Sequence, residues 1–189
     1  MKSILTAPPA VEPVTLAEAK AHLRIDGDAE DALIGTLVTA ARRHVEAATG
    51  LALIAQAWSH FLDRWPQGPV VELPLAPVMS IDEVTIHGED DAAATIDPAH
   101  YYADTLARPA RLVLRPDRLW PRPGRAANGI EIRVSAGYGE SPDDVPHGLR
   151  SAILRFLAYW FENRGDDAEP ANVPLGAELI LQPFRELHL

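Results

Sequence analysis

Apolar and polar positions along the chain change their period twice, from helical to alternating and back. In the stretch DAEDALIGTLVTAARRHVEAATG, from Asp28 to Gly50, the residues Leu33, Ile34, Leu37, Val38, Ala41, Val45 and Ala48 recur at steps of one, three and four. That spacing lays an apolar stripe along one side of a helix. Asp28 is placed to cap the helix, Glu30 and Asp31 put negative charge in its first turn, and Gly50 stands where a left-handed C-cap belongs. Arg42, Arg43 and Glu46 fall off the stripe, which predicts them on the outer face. About 22 residues rising 1.5 Å each make a rod of roughly 33 Å, long enough to organise a small domain. A shorter helix, TLAEAKAHL, is predicted before it, because Thr15 and Glu18 have the spacing of a capping box. Pro8, Pro9 and Pro13 precede that helix and predict an extended arm over residues 1–14, free to lie on a neighbour.

After Leu53 the helical period gives way to short β-branched and aromatic runs punctuated by Pro and Gly. Strands are predicted at 55–63, 70–73, 81–87, 101–103, 111–114 and 130–134. In the last of these, Ile130, Ile132 and Val134 alternate with Glu131 and Arg133, so that strand has one buried and one wet face. The helical period returns in HGLRSAILRFLAYWFENRG, with Pro146 suited to a first turn and Gly165 to the end. Its apolar face, from Leu149 to Phe161, is wider than one partner helix covers. Beyond it, Pro170, Pro174 and Pro183 surround GAELIL and predict an extended tail with at most a short helical turn, whose Leu179, Ile180, Leu181 and Phe184 need a partner surface.

The predicted fold is therefore α+β: a small helical bundle core of two long helices and a short N-terminal helix, a large inserted antiparallel strand-rich block, and an extended C-terminal tail. The expected divisions are an arm at 1–14, core helices at 15–52, the strand-rich insertion at 53–138, the C-terminal core helix at 139–165 and the tail at 166–189.

Composition narrows the chemistry. No cysteine is present among the 189 residues, which removes disulfides, thiolate metal sites and thiol catalysis. No apolar run is long enough to span a membrane, and MKSILTAPPAVEP lacks the features of a secretory signal, so a soluble protein made in the cytoplasm is expected. The net charge of −10 argues against a general nucleic-acid coat. Charge is also segregated in the strand-rich block: Asp82, Glu83, Glu89, Asp90, Asp91 and Asp97 are followed by Arg108, Arg111, Arg115, Arg118, Arg122 and Arg125. These segments can pair head to tail between neighbouring copies, or can simply be solvated loops.

Catalytic patterns are missing from the sequence. The histidines have no metal-binding or His-Glu-x-x-His spacing, Ser80, Ser135 and Ser151 lie outside a nucleophile elbow, and Ala136-Gly137-Tyr138-Gly139 lacks the lysine of a phosphate loop. Asp26, Asp28 and Glu30 imitate the start of a calcium loop, but its sixth and twelfth positions are Asp31 and Leu37 in place of glycine and glutamate. No catalytic, metal or cofactor residue is assigned. Trp58, Trp65 and Trp120 with the carboxylates of the strand-rich block leave an enzyme or a carbohydrate- or protein-binding module as the alternative.

An ordered set of short pieces decides between these classes. Pro13-Val14-Thr15-Leu16-Ala17-Glu18-Ala19-Lys20-Ala21-His22-Leu23-Arg24, Leu33-Ile34, Ala40-Ala41-Arg42, Val45-Glu46 and Thr49-Gly50-Leu51 closely resemble the N-terminal half of phage head-tail connector proteins, also called head-completion or adaptor proteins. The resemblance continues through Leu73-Pro74-Leu75-Ala76-Pro77-Val78, Trp120-Pro121, Ala136-Gly137-Tyr138-Gly139, Val145-Pro146 and Asn163-Arg164. It implies a structural subunit that is not an enzyme and has no cofactor. Such subunits form a homo-oligomeric ring, usually of twelve copies, between the portal protein and a tail-side stopper, in a tailed phage or gene transfer agent assembled in the bacterial cytoplasm. DNA passes through the ring without specific binding. On this reading Leu179, Ile180, Leu181 and Phe184 anchor the tail on the portal, and the subunit seam joins Asp82, Glu83, Glu89, Asp90 and Asp91 to Arg108, Arg111, Arg115 and Arg118. The strand-rich block is larger than in the smallest, mainly helical members.

Overall fold

A computed structural model describes residues 1–163 and 174–185. The chain is α+β and divides into a strand unit, Met1–Pro9 with Ala55–Tyr138, and a helical unit, Ala10–Ile54 with Gly139–Leu189.

The strand unit contains β1 (Lys2–Ala7), β2 (Gln56–Leu62), β3 (Val70–Glu72), β4 (Val78–His87), β5 (Ala93–Thr95), β6 (Tyr101–Asp104), β7 (Arg111–Leu114) and β8 (Ile130–Ala136). They form a five-stranded sheet in the order β1-β2-β8-β4-β5 and a three-stranded sheet in the order β3-β7-β6, antiparallel throughout. The alternation of β8 places it centrally, with Ile132 opposite His60 on β2 and Val84 on β4. Its Ile130, Ile132 and Val134 are wholly buried and join Val71, Leu73, Val84, Ile96 and Leu112 in one apolar core to which both sheets contribute. Glu131, Arg133 and Ser135 occupy the opposite face, as the period of two requires. Strand β4 follows β8 only by means of two register shifts, at Val78/Ser80 and Ile81/Glu83.

Two of these strands were not anticipated. Residues Lys2–Ala7, expected as a free arm, pair with β2, with Ser3 opposite His60 and Leu5 opposite Trp58. The prolines that suggested an arm begin only at Pro8, and the β-branched Ile4 and Thr6 suit an edge strand. Strand β5 is three exposed residues with no alternation to betray it.

The helical unit contains α1 (Leu16–Leu23), α2 (Asp31–Thr49), α3 (His147–Glu162) and α4 (Leu175–Leu181). Thr15 and Glu18 close the capping box of α1, each side chain accepting from the other residue's backbone N–H. Helix α2 buries Ile34, Val38, Ala41 and Val45 and ends at Gly50, whose φ of +71° lets its N–H reach the Glu46 carbonyl at 2.9 Å. Against it packs α3, which buries Leu149, Ala152, Ile153, Phe156 and Leu157. Pro146 immediately precedes α3, its carbonyl accepting from Leu149 and Arg150.

Three expectations for this unit are corrected. Asp28 does not cap α2, which starts at Asp31 after a turn closed by the Asp31 N–H on the Asp28 carbonyl; the Asp28 carboxylate instead takes a hydrogen bond from Lys20 at 3.0 Å. Arg42 is buried, although its place beside the stripe suggested solvent, because two carboxylates accompany it inward. The stretch GAELIL is a two-turn helix packed on α3, because Ala177 and Leu181 find a buried surface there. Gly165 and the tail segments 166–173 and 186–189 lie outside the described residues.

Candidate functional site

Among the described residues no group of His, Asp and Glu is arranged to hold a metal ion. The tryptophans that suggested a sugar platform serve the strand core. Trp65 and Trp120 stack at 4.1 Å and 10°, each closing one face of the other, while Trp65 Nε1 donates to the Pro121 carbonyl at 2.8 Å. Both pack against the apolar core with Trp58. This pairing clamps the base of the loop that displays Arg118, Leu119 and Arg122.

The charged segments of the strand unit are largely engaged within the chain. On the wet face of the five-stranded sheet, Arg133 donates to Glu83 at 2.9 Å and to Glu131 at 3.1 Å, and Glu131 accepts from Ser59 at 2.7 Å. Burial acts to raise the Glu131 carboxyl, but the hydrogen bonds from Ser59 and Arg133 outweigh it and its pKa is lowered. Asp82 accepts from Ser80 and Ser135. Asp91 pairs with Arg125 at 2.6 Å, and this hydrogen bond holds its carboxyl below the usual range. Arg111 pairs with Asp104, and the Arg115 guanidinium sits 5.6 Å over the Tyr102 ring. Asp90 accepts from the Ala92 N–H in its turn. Glu89, Arg108 and Arg118 are exposed and carry no ion pair among the described residues. The structure therefore does not bring the acidic and arginine segments together as a block; it gives most members local partners.

The four tail residues separate by role. Leu181 is wholly buried, and the Phe184 ring and Ile180 lie over Gly148, where a Cβ would stand 3.2 Å from the ring. These three hold α4 on α3. Leu179 is 55% exposed, and Leu175, one turn earlier, is 75% exposed, so the two form a short apolar strip on the open side of the helix. Leu175 was missed in the sequence, although its spacing of four from Leu179 was visible.

Two further features of the helical unit were not read from the sequence. Arg42 donates to Glu12 and to Glu46, each at 2.7 Å, and Glu46 in turn accepts from the Leu53 N–H at 3.1 Å. The Glu46 spacing of four from Arg42 was the available signal; Glu12, thirty residues away, left none. Beside this cluster Val11, Val14, Leu16, Gly35, Val38 and Pro142 line an open apolar hollow of about 280 Å³.

Residues 13–106 match the family model of the phage gp6-like head-tail connector protein. No curated protein matches the chain. Among solved structures, a chain from the neck of an empty gene transfer agent particle, computed with C6 symmetry, matches at a TM-score of 0.86 and 24% identity, covering 100% of this chain and 97% of that one. Another, from the virion of a native gene transfer agent particle, matches at 0.84 and 24% with the same coverage. A third, from the neck of a native particle computed with C12 symmetry, matches at 0.80 and 24%, covering 98% of this chain and 97% of that one. At that identity these likenesses establish a shared fold.

Proposed function

The chain belongs to the phage gp6-like head-tail connector family, a structural and non-enzymatic one, and from that premise we propose that it is the ring subunit joining head to tail in a tailed phage or gene transfer agent. Twelve copies close the ring beneath the portal, a stopper protein meets its tail-side rim, and DNA crosses the central channel without specific binding. The ring is assembled in the bacterial cytoplasm and acts at the head-tail junction, with no membrane involved. The observation that carries this reading is the family match over residues 13–106, from α1 through β6, joined to a fold that follows the neck chains end to end. The C12 symmetry of one of those necks supports the copy number.

Within this reading the exposed strip of Leu179 and Leu175 is the portal anchor, and Ile180, Leu181 and Phe184 hold it in place. Glu89, Arg108 and Arg118 are the seam charges still open to a neighbouring copy, since Asp82, Glu83, Asp90, Asp91, Arg111 and Arg115 have partners in their own chain. A particle-producing strain lacking this chain tests the function. It is expected to accumulate DNA-filled heads and separate tails, which the added protein joins; tailed particles at normal yield in its absence would contradict the role.

A further inference from the structure

The hollow of the helical unit has the character of a socket for one apolar side chain. Its volume of about 280 Å³ falls just below the range of roughly 300–1,000 Å³ usual for small-molecule sites. Its polar groups are already occupied: Glu12 accepts from Arg42 and Thr39, and Thr15 from the Glu18 N–H. A ligand needing orientation by hydrogen bonds would find none free, whereas an aliphatic side chain needs only the apolar walls. Carboxylates outnumber cations beside the lining. Glu12, which lines the hollow, shares Arg42 with Glu46; Glu18, bonded to the lining Thr15, shares Arg150 with Asp143, which follows the lining Pro142; and Glu140 is exposed with no ion pair among the described residues.

The strand unit carries the complement. Leu119 is 86% exposed on the loop between β7 and β8. The loop is fixed at its base by the stacked Trp65 and Trp120 and by the Trp65 hydrogen bond to Pro121, so little conformational freedom is lost when its tip docks. Arg118 and Arg122 flank the leucine, both exposed. A chain that carries an apolar socket with an acidic rim and a rigid apolar knob with basic flanks has the two unlike, complementary patches that a head-to-tail contact requires.

We propose that Leu119 of one copy seats in the Val14–Val38 hollow of the next, with Arg118 and Arg122 facing Glu140 and the Glu12/Glu46 and Glu18/Asp143 pairs, each of which holds a single arginine and so keeps a net negative charge. This rests on the ring reading above and names the contact that closes it. Because the chain has no cysteine, the contact can be trapped directly. Copies carrying Leu119→Cys are mixed with copies carrying Gly35→Cys, at a glycine with open space around it, assembled on the portal ring and oxidised with copper phenanthroline. The expected main product is the mixed disulfide dimer, with far less linkage in either variant assembled alone. In parallel, Leu119→Asp keeps the wild-type melting temperature and weakens association between neighbours by roughly tenfold or more, as loss of a buried leucine requires. Rings that form at wild-type yield from Leu119→Asp, without a mixed disulfide in the cysteine pair, overturn the seating and leave the ring standing. A wild-type chain that never associates with itself, on the portal or off it, overturns both.

Discussion

Arg42 and His60 show what single buried polar groups do in this chain. Arg42 is 5% exposed, and although burial works against its charge, Glu12 and Glu46 outweigh that and raise its pKa. Removing it leaves two carboxylates facing each other in a partly dry site, so Arg42→Ala is expected to cost roughly 3 kcal/mol, measured by urea unfolding. Replacement of an exposed arginine such as Arg43 is expected to change stability by under about 0.5 kcal/mol. His60 is wholly buried in β2, with Nδ1 hydrogen-bonded to Ser3 Oγ at 2.8 Å, and desolvation lowers its pKa to about 4. The unfolded chain takes up this proton near pH 6.5, before the folded chain does. Stability from this group is therefore complete above pH 6.5 and is lost as pH falls toward 4, by at most about 3 kcal/mol. His60→Gln is expected to flatten that part of the pH–stability profile, and a slope identical to wild type between pH 4 and 6.5 would show that His60 is not its source. Neither role could be read from sequence: Arg42 depends on a carboxylate thirty residues away, and His60 on a strand pairing across 57 positions.

Among the elements, α4 separates holding from presenting. Leu181→Ala removes a wholly buried side chain and is expected to destabilise the protein by about 2–5 kcal/mol. Leu179→Asp, on the open side, is expected to leave the melting temperature unchanged while weakening portal binding in a pull-down; unchanged binding would place the anchor elsewhere. Sequence periodicity resolved α1, α2, α3 and six of the strands because each has either a cap or a one-sided apolar pattern. Thr15 with Glu18, Gly50 after its stripe, and the alternation through Val134 are the examples. It failed where tertiary contact alone makes the element. Strand β1 is exposed along nearly its whole length and is defined by its partner, and α4 is too short to declare a helical period between its prolines.

At the scale of the whole molecule, a net charge of −10 sets how DNA is treated. If the arginine loops gripped the duplex, six phosphate contacts would give a log-log salt slope of about −5. Arg108, Arg115, Arg118 and Arg122 form no ion pair among the described residues, but the net charge of −10 opposes a grip on phosphates, so weak and nearly salt-independent DNA binding is expected. The connector resemblance was legible because its pieces are local, whereas the surfaces that would serve it were not. Leu181 read as a docking residue and is core; Glu83 read as a seam charge and already holds Arg133. Composition identifies which residues are sticky or charged, but only folding decides which of them remain unpaired. The most direct test of the central claim is the mass of the purified protein in solution, alone and with a portal ring, with electron-microscope imaging of the larger species. A ring of twelve chain masses, free or formed on the portal, is the predicted result; a monomer that ignores the portal at every concentration would contradict it.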